Sequence, residues 1–272
     1  MKQDHKNKYP QWVHEDADLT VCMSDDIDSL VGATILKQIK GWEVEHFYDF
    51  NNLYSIDKND PRKAVGVDIA LVNGMTFDNH VTMLSNDSIP NLKSANPNVI
   101  ERISRDNYTS KFAMSTALLL WSLYDLPLPK TEDGKLMLMA IDSSFLGYYK
   151  GFRKIQCGWL EKLGMEEMIQ LQKRHSLVDF MEVKKRFDSS KKIALNESGF
   201  LETEMNLEGI SELLDLDITL PDKQFELRKE FNRTSFNLNR DAKYSNSTIE
   251  EYYNPFSYAL TGKNNLQMTL RN

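Results

Sequence analysis

The stretch Asp18–Ile39, DLTVCMSDDIDSLVGATILKQI, decides the architecture. Asp18–Met23 is a short run of β type. The polar turn Ser24-Asp25-Asp26-Ile27-Asp28 follows it. From Ser29 onward, Leu30, Ala33, Ile35, Leu36 and Ile39 recur close to a helical period. The reading is strand, acidic loop, helix. This is the opening of a unit that alternates strands with helices, and such units build parallel sheets.

The neighbouring segments continue that alternation. Trp42–Phe50 alternates loosely and reads as a second strand, and 51–62, polar and containing Pro61, reads as a loop. Ala64–Leu71 (AVGVDIAL) reads as a buried strand with Asp68 inside it. After the turn signal Asn73-Gly74, Met75–Met83 reads as another short strand, and 85–97 as polar and irregular. Ser110–Tyr124 has a strong helical pattern. Leu136–Ile141 is an apolar run that ends at Asp142, and Trp159 to about Phe187 is helical with a break at Gly164. Phe256–Leu260 and Leu266–Arg271 flank Gly262-Lys263-Asn264-Asn265, a hairpin signature. The expected fold is α/β: a mostly parallel sheet flanked by helices, with a smaller C-terminal α+β domain. The expected boundaries are 1–183 for the main domain, 184–200 for a linker and 201–272 for the small domain.

Composition narrows the class. With 41% hydrophobic and 27% charged residues the chain can bury a core, which excludes wholesale disorder. No apolar run approaches the roughly 18 residues that cross a bilayer, so no membrane partner is expected. The first residues, MKQDHKNKYPQW, carry no apolar signal core. Two cysteines make no disulfide framework, so reduced thiols and a cytoplasmic location are expected. A net charge of −7 argues against the broad phosphate-gripping surface of a duplex-DNA binder.

Ligands of an α/β sheet gather at the carboxyl ends of its strands. Asp26, Asp28, Asp68 and Asp142 all fall at or near such ends, and Asp78 and His80 come from Phe77-Asp78-Asn79-His80. Carboxylates suit hard divalent ions, and Mn²⁺ also accepts imidazole. A shared carboxylate holds two ions roughly 3.5–4 Å apart in sites that activate water against phosphorus. Each residue also has a plainer reading. Asp26 or Asp28 can cap the helix that follows, His80 can be a structural hydrogen-bonder, and Asp142 can cap the next segment. Asp68, in so apolar a strand, needs a partner.

The order of these motifs resembles the DHH phosphoesterase superfamily. That family includes RecJ-like single-strand exonucleases, oligoribonucleases, cyclic-dinucleotide phosphodiesterases and family II inorganic pyrophosphatases. Val21–Thr34 resembles its first motif, a strand, a D-x-D loop and a helix. Asp68 matches the strand-borne Asp, Asp78-Asn79-His80 the name-giving D-H-H, and Asp142 the Asp that follows an apolar strand. Lys111–Tyr124 is similar to the helix with a small S-T-A segment. The resemblance covers roughly residues 18 to 150, and more weakly the closing strands.

The resemblance implies a metal-dependent phosphodiesterase acting through a metal-activated water, with two Mn²⁺ or Mg²⁺ ions. Asp26 and Asp68 would hold one ion, and Asp28, Asp68 and Asp142 the other. His80, with Asp78, would stand in the catalytic position beside the substrate phosphate. Arg233, Arg240, Lys263 and Arg271 are the basic candidates for binding a nucleotide or single-stranded oligonucleotide. Two ligand positions depart from the pattern: Cys22 stands where the family has a metal-binding His, and Asn79 replaces the first His of D-H-H. A thiolate is a soft ligand and an amide oxygen a weak one for these ions. The alternative is therefore an inactive relative that binds a nucleotide or a protein partner. The sequence leaves a homo-oligomer open.

Overall fold

The computed structural model describes residues 1–272. Eleven strands form in chain order: β1 (Leu19–Met23), β2 (Val44–Tyr48), β3 (Asn52–Ser55), β4 (Lys63–Val67), β5 (Thr76–Phe77), β6 (Ser94–Ala95), β7 (Ile193–Leu195), β8 (Leu201–Thr203), β9 (Glu226–Asn237), β10 (Pro255–Gly262) and β11 (Asn265–Arg271). Nine of them make one mixed sheet, ordered β10-β11-β9-β3-β2-β1-β4-β5-β6, and β7 and β8 pair separately. The α/β class read from the sequence is what the structure has.

The chain packs as two compact units. One comprises Tyr9–Ser24, Glu45–Phe112 and Glu226–Asn272, and the other Met1–Lys8, Asp25–Val44 and Ala113–Phe225. The first is built on the large sheet. Its parallel block, β1-β4-β5-β6, comes from the first hundred residues. All five residues of β1 are buried, which is what a strand covered on both faces requires. The antiparallel block joins β3 to β9, β9 to β11 and β11 to β10.

The second unit is mainly helical. Asp26 caps the helix Ile27–Lys40 by accepting from the Ser29 N–H at 3.3 Å, and Gly41, at φ +68°, closes it. That helix packs against Thr116–Leu123. The expected helical region ending at Phe187 is three helices, Arg153–Lys162, Glu166–Arg174 and Leu177–Arg186, and Gly164 at φ +67° sits in the first break. Phe145 and Phe180 stack at 4.7 Å in its core.

Several segments differ from the sequence expectation. Leu136–Ile141 does not end a strand. Thr131 caps the helix Glu132–Ala140 by accepting from the Gly134 N–H, two acids fill the first turn, and Leu-Met-Leu-Met-Ala favours helix. Asp142 therefore follows a helix, and it lies at φ +44°. Within the expected loop 51–62 lies β3, and β9 is a twelve-residue strand with no apolar alternation, since only Phe231 is buried along it. Backbone ladders on both sides hold β9. Residues 184–200 contain the end of the last of the three helices and β7, and 201–272 divides between the two units.

Candidate metal centre

In the sheet unit, β4 and β5 run parallel with Val67 opposite Phe77, so they end side by side. The next residue of each strand is an aspartate, Asp68 and Asp78. The chain turns sharply at Asp68, whose φ of +58° lies in the left-handed region that Asp and Asn tolerate better than most residues. Thr76 fixes this turn. Its hydroxyl lies 2.7 Å from the Ile69 carbonyl and 3.1 Å from that of Gly66. Gly66 makes the approach possible, because a Cβ there would stand 2.8 Å from the Thr76 oxygen. The Asp68 N–H donates to the Phe77 carbonyl at 2.9 Å, which ties the two strand ends together.

This geometry brings Asp68, Asp78 and His80 together, with a ligand atom of each within 4.8 Å of the others. His80 Nδ1 is 2.7 Å from Asp78 Oδ1 and 3.9 Å from Asp68 Oδ1. Asp78 is fully buried and Asp68 is 7% exposed, while the His80 side chain is 34% exposed. Two nearly buried carboxylates at this separation repel each other, and a cation placed between them relieves that repulsion. Two carboxylate oxygens and an imidazole nitrogen are the donors that first-row divalent ions accept. The group can hold a metal ion.

The sequence reading missed two buried asparagines that position this group. Asn96 donates through Nδ2 to Asp78 Oδ2 at 2.9 Å and to the His80 carbonyl at 2.7 Å. Its Oδ1 accepts from the Asn98 N–H at 2.8 Å, capping the single turn Pro97–Ile100. Asn98 holds the Asn79 carbonyl at 2.6 Å and exchanges hydrogen bonds with the Phe112 backbone. The pair therefore clamps 78–80 from the chain that follows β6. Asn96-Pro97 is a turn signal in the sequence, but nothing there marks the flanking amides as buried.

Comparison with protein-family models, characterised proteins and solved structures finds no match. The site stands on its own geometry.

The remaining sequence candidates have surroundings of their own. Cys22 lies on β1 in an apolar cluster with Tyr48, Ile69 and Phe231. Burial pushes its thiol up to about 12, so it is a neutral SH group at ordinary pH. Asn79 is buried beside the triad in sequence, and its carbonyl is held by Asn98. Asp26, Asp28 and Asp142 belong to the helical unit, and there they have partners of their own. The Asp28 carboxylate accepts from the N–H groups of Thr116, at 2.8 Å, and Ala117, at 2.6 Å. Those are the first amides of the helix Thr116–Leu123, a natural seat for an anion. Asp26 and Asp25 share the Lys192 ammonium, at 3.2 and 2.8 Å. Next to the exposed Asp142, the Ser143 hydroxyl receives Lys184 at 2.9 Å. Burial holds the Lys184 ammonium below its ordinary pKa, against the pull of Asp142.

The basic candidates lie on the C-terminal strands of the sheet unit. Arg233 is on β9 and bonds Gln267 Oε1 at 3.0 Å, and Arg271 is on β11 and bonds Asn254 Oδ1 at 3.3 Å. Arg240 and Lys263 line a separate cleft of about 1060 Å³ together with Arg105 and Tyr244. Arg105 is buried there and donates to the carbonyls of Asn239 and Ala242 and to Asn264 Oδ1, so it holds the cleft's own loops in place. No helix of the chain is long and apolar enough to cross a membrane.

Proposed function

We propose that the protein is a divalent-metal-dependent phosphoesterase whose cation is held by Asp68, Asp78 and His80. One observation carries the reading: two buried carboxylates and an imidazole converge where two adjacent parallel strands end. In an α/β sheet this is the edge at which ligands bind. The motif order that resembles the DHH phosphoesterases supports the same reaction class, with oligonucleotide or cyclic-dinucleotide phosphodiesters as substrates and Mn²⁺ or Mg²⁺ as the ion. When bound, the ion supplies Lewis-acid polarisation of a phosphoryl oxygen and an activated water.

The chain's own residues have separable tasks. Asp68 and Asp78 set the negative charge that attracts the ion. Asn96 fixes the rotation of the Asp78 carboxylate, so that one oxygen faces His80 and the other faces away. His80 is the most exposed of the three and the one that reaches a substrate oxygen as donor.

A second reading has its own support. Asp28 is engaged by backbone amides, and Cys22 is a buried neutral thiol. Both observations reduce the ligands available for a second ion and favour a metal-stabilised binding protein without turnover. The deciding experiment measures thermal stability and phosphodiester hydrolysis together in Mn²⁺, Mg²⁺ or EDTA. Its substrates are short single-stranded oligonucleotides and cyclic dinucleotides. Metal-dependent hydrolysis that disappears in Asp68→Asn and Asp78→Asn is expected. Stabilisation by metal without turnover supports the binding protein, and indifference to metal removes both readings.

A further inference from the structure

Arg105 is a buried cation whose charge no carboxylate answers. It lines the cleft of about 1060 Å³ in the sheet unit, and only 7% of the residue is exposed. Its hydrogen-bond partners are all neutral. Nε and Nη2 donate to Asn264 Oδ1 at 3.1 and 2.9 Å, Nη2 to the Asn239 carbonyl at 2.6 Å, and Nη1 to the Ala242 carbonyl at 3.0 Å. A guanidinium has five N–H groups, so one on Nη1 is left over. The Tyr244 ring covers one face of the group, its centroid 5.3 Å from the guanidinium carbon. Buried charges are ordinarily paired, and an ionised ligand in the cleft would supply the missing partner.

The charges that line the cleft have two signs, and different loops carry them. Arg105 ties together the loops that hold Arg240, Asp241 and Lys263. The next residue, Asp106, turns to another loop, where its Oδ2 accepts from the Asn86 N–H at 3.0 Å, beside Asp87. Arg102, which does not line the cleft, holds that loop through the Asn86 carbonyl at 2.6 Å. Lys243 is the remaining cation of the lining, and none of these lining charges is in an ion pair. Four cations against three carboxylates leave a net charge of only +1. A polyanion would meet the carboxylates as well as the cations, and a polycation would meet the reverse. A ligand with a carboxylate at one end and an ammonium at the other matches both.

Size chooses among such ligands. Pockets of about 300–1,000 Å³ take drug-sized molecules, which are well above a free amino acid. An extended tripeptide is about 10 Å long and carries its two charges at its ends. We propose that this cleft binds a short peptide with free termini, its carboxylate on Arg105 and Lys263 and its ammonium on Asp87 and Asp106. The site shares no residue with Asp68, Asp78 and His80, so it goes beyond the phosphoesterase reading and stands or falls without it.

The test is equilibrium dialysis of the full chain in EDTA against an equimolar pool of tripeptides with free termini, read by mass spectrometry. Retention of at least one member is expected. For that peptide, amidating the carboxylate should weaken binding at least about tenfold, because a charged hydrogen bond to Arg105 is lost. Acetylating the ammonium should cost about two- to fivefold, as for other exposed pairs. Arg105 also braces the loops, so exposed residues give the cleaner variants. Lys263→Gln should weaken the free peptide about two- to fivefold and leave the amidated one unchanged. Asp87→Asn should do the same to the free peptide and leave the acetylated one unchanged. Both side chains are exposed, so both variants keep the wild-type melting temperature. A pool from which nothing is retained overturns the proposal, as do capped peptides that bind like the free one. Inorganic phosphate or a nucleoside monophosphate retained as tightly as the peptide also overturns it, and so do variants that weaken free and capped peptides alike.

Discussion

Two acidic regions of this chain, one a contiguous turn and the other two strand-end aspartates ten residues apart, differ in how their charge is answered. The turn Asp25-Asp26-Ile27-Asp28 in the helical unit is answered by the protein. Asp28 accepts two backbone amides, Asp26 caps its own helix, and Lys192 lies against Asp25 and Asp26. In the sheet unit, Asp68 and Asp78 face each other across His80, with Asn96 supplying a neutral donor. The first region is answered by donors of the protein, and the second is the group that can hold an ion. Carboxylate spacing in a sequence therefore does not identify a metal site, because the supply of other donors decides it.

The largest expected effect breaks the first region. Asp28 is 2% exposed, so Asp28→Ala leaves the Thr116 and Ala117 amides without acceptors in the interior. Hydrogen bonds to a charged group contribute about 1.5–3 kcal/mol each. A loss of about 3 kcal/mol is expected in denaturant unfolding, equal in Mn²⁺ and in EDTA. A loss that appears only with metal would place Asp28 among the ligands.

The second effect concerns the sheet unit. Mn²⁺ at a hundredfold excess over its dissociation constant should stabilise the protein by about 2.7 kcal/mol, read as a shift in Tm. Asp68→Asn should abolish the shift while leaving the apo protein at least as stable as wild type, because it removes a repulsion. Asn is the right replacement, since it keeps the left-handed backbone at this position. Asn96→Ala should be smaller and graded. Loss of the group that orients a ligand typically weakens metal binding about 10- to 100-fold. Titrating the Tm shift against Mn²⁺ separates that from a change in apo stability, which a purely structural role would produce alone.

Much of this contrast was hidden in the sequence for physical reasons. The strand–acidic turn–helix reading of Asp18–Ile39 and the C-terminal hairpin were legible, because burial and turn chemistry leave periodic traces. Asp68 could be picked out as a carboxylate within the apolar run Ala64–Leu71, and Asp78 with His80 through the motif-like segment Phe77-Asp78-Asn79-His80. Asn96 and Asn98 could not, because a buried amide in a loop looks like any polar loop residue until its partners are known. The six apolar residues Leu136–Ile141 before Asp142 read as a strand in the sequence, and the Thr131 cap some ten residues upstream makes that segment a helix. β9 left no apolar alternation to read, since its stabilisation comes from two backbone ladders.

The smallest effect sharpens the comparison most. Lys192 is the only cation against the Asp25–Asp26 pair, and its side chain is 58% exposed. Burial works against its ammonium, but the charges of Asp26 and Asp25 outweigh it and hold the pKa above the ordinary value. A raised folded pKa means that the contact's stabilisation is fully present below the unfolded lysine pKa, about 10.4, and is lost as the pH rises through the folded value. Lys192→Met keeps the apolar stem and removes the charge. It should cost no more than about 1 kcal/mol, as for other exposed pairs, constant across neutral pH and vanishing in strong alkali. Made in the Asp68→Asn background, it also asks whether the turn becomes a cation site once its lysine is gone. With Asp28 still held by Thr116 and Ala117, only Asp25 and Asp26 are freed, and two carboxylates on a solvated turn are a poor cage. No Tm response is expected at the Mn²⁺ concentration that saturates wild type. A restored response would mean that Lys192 occupies the position of an ion, and that the two acidic regions differ only in which cation fills them.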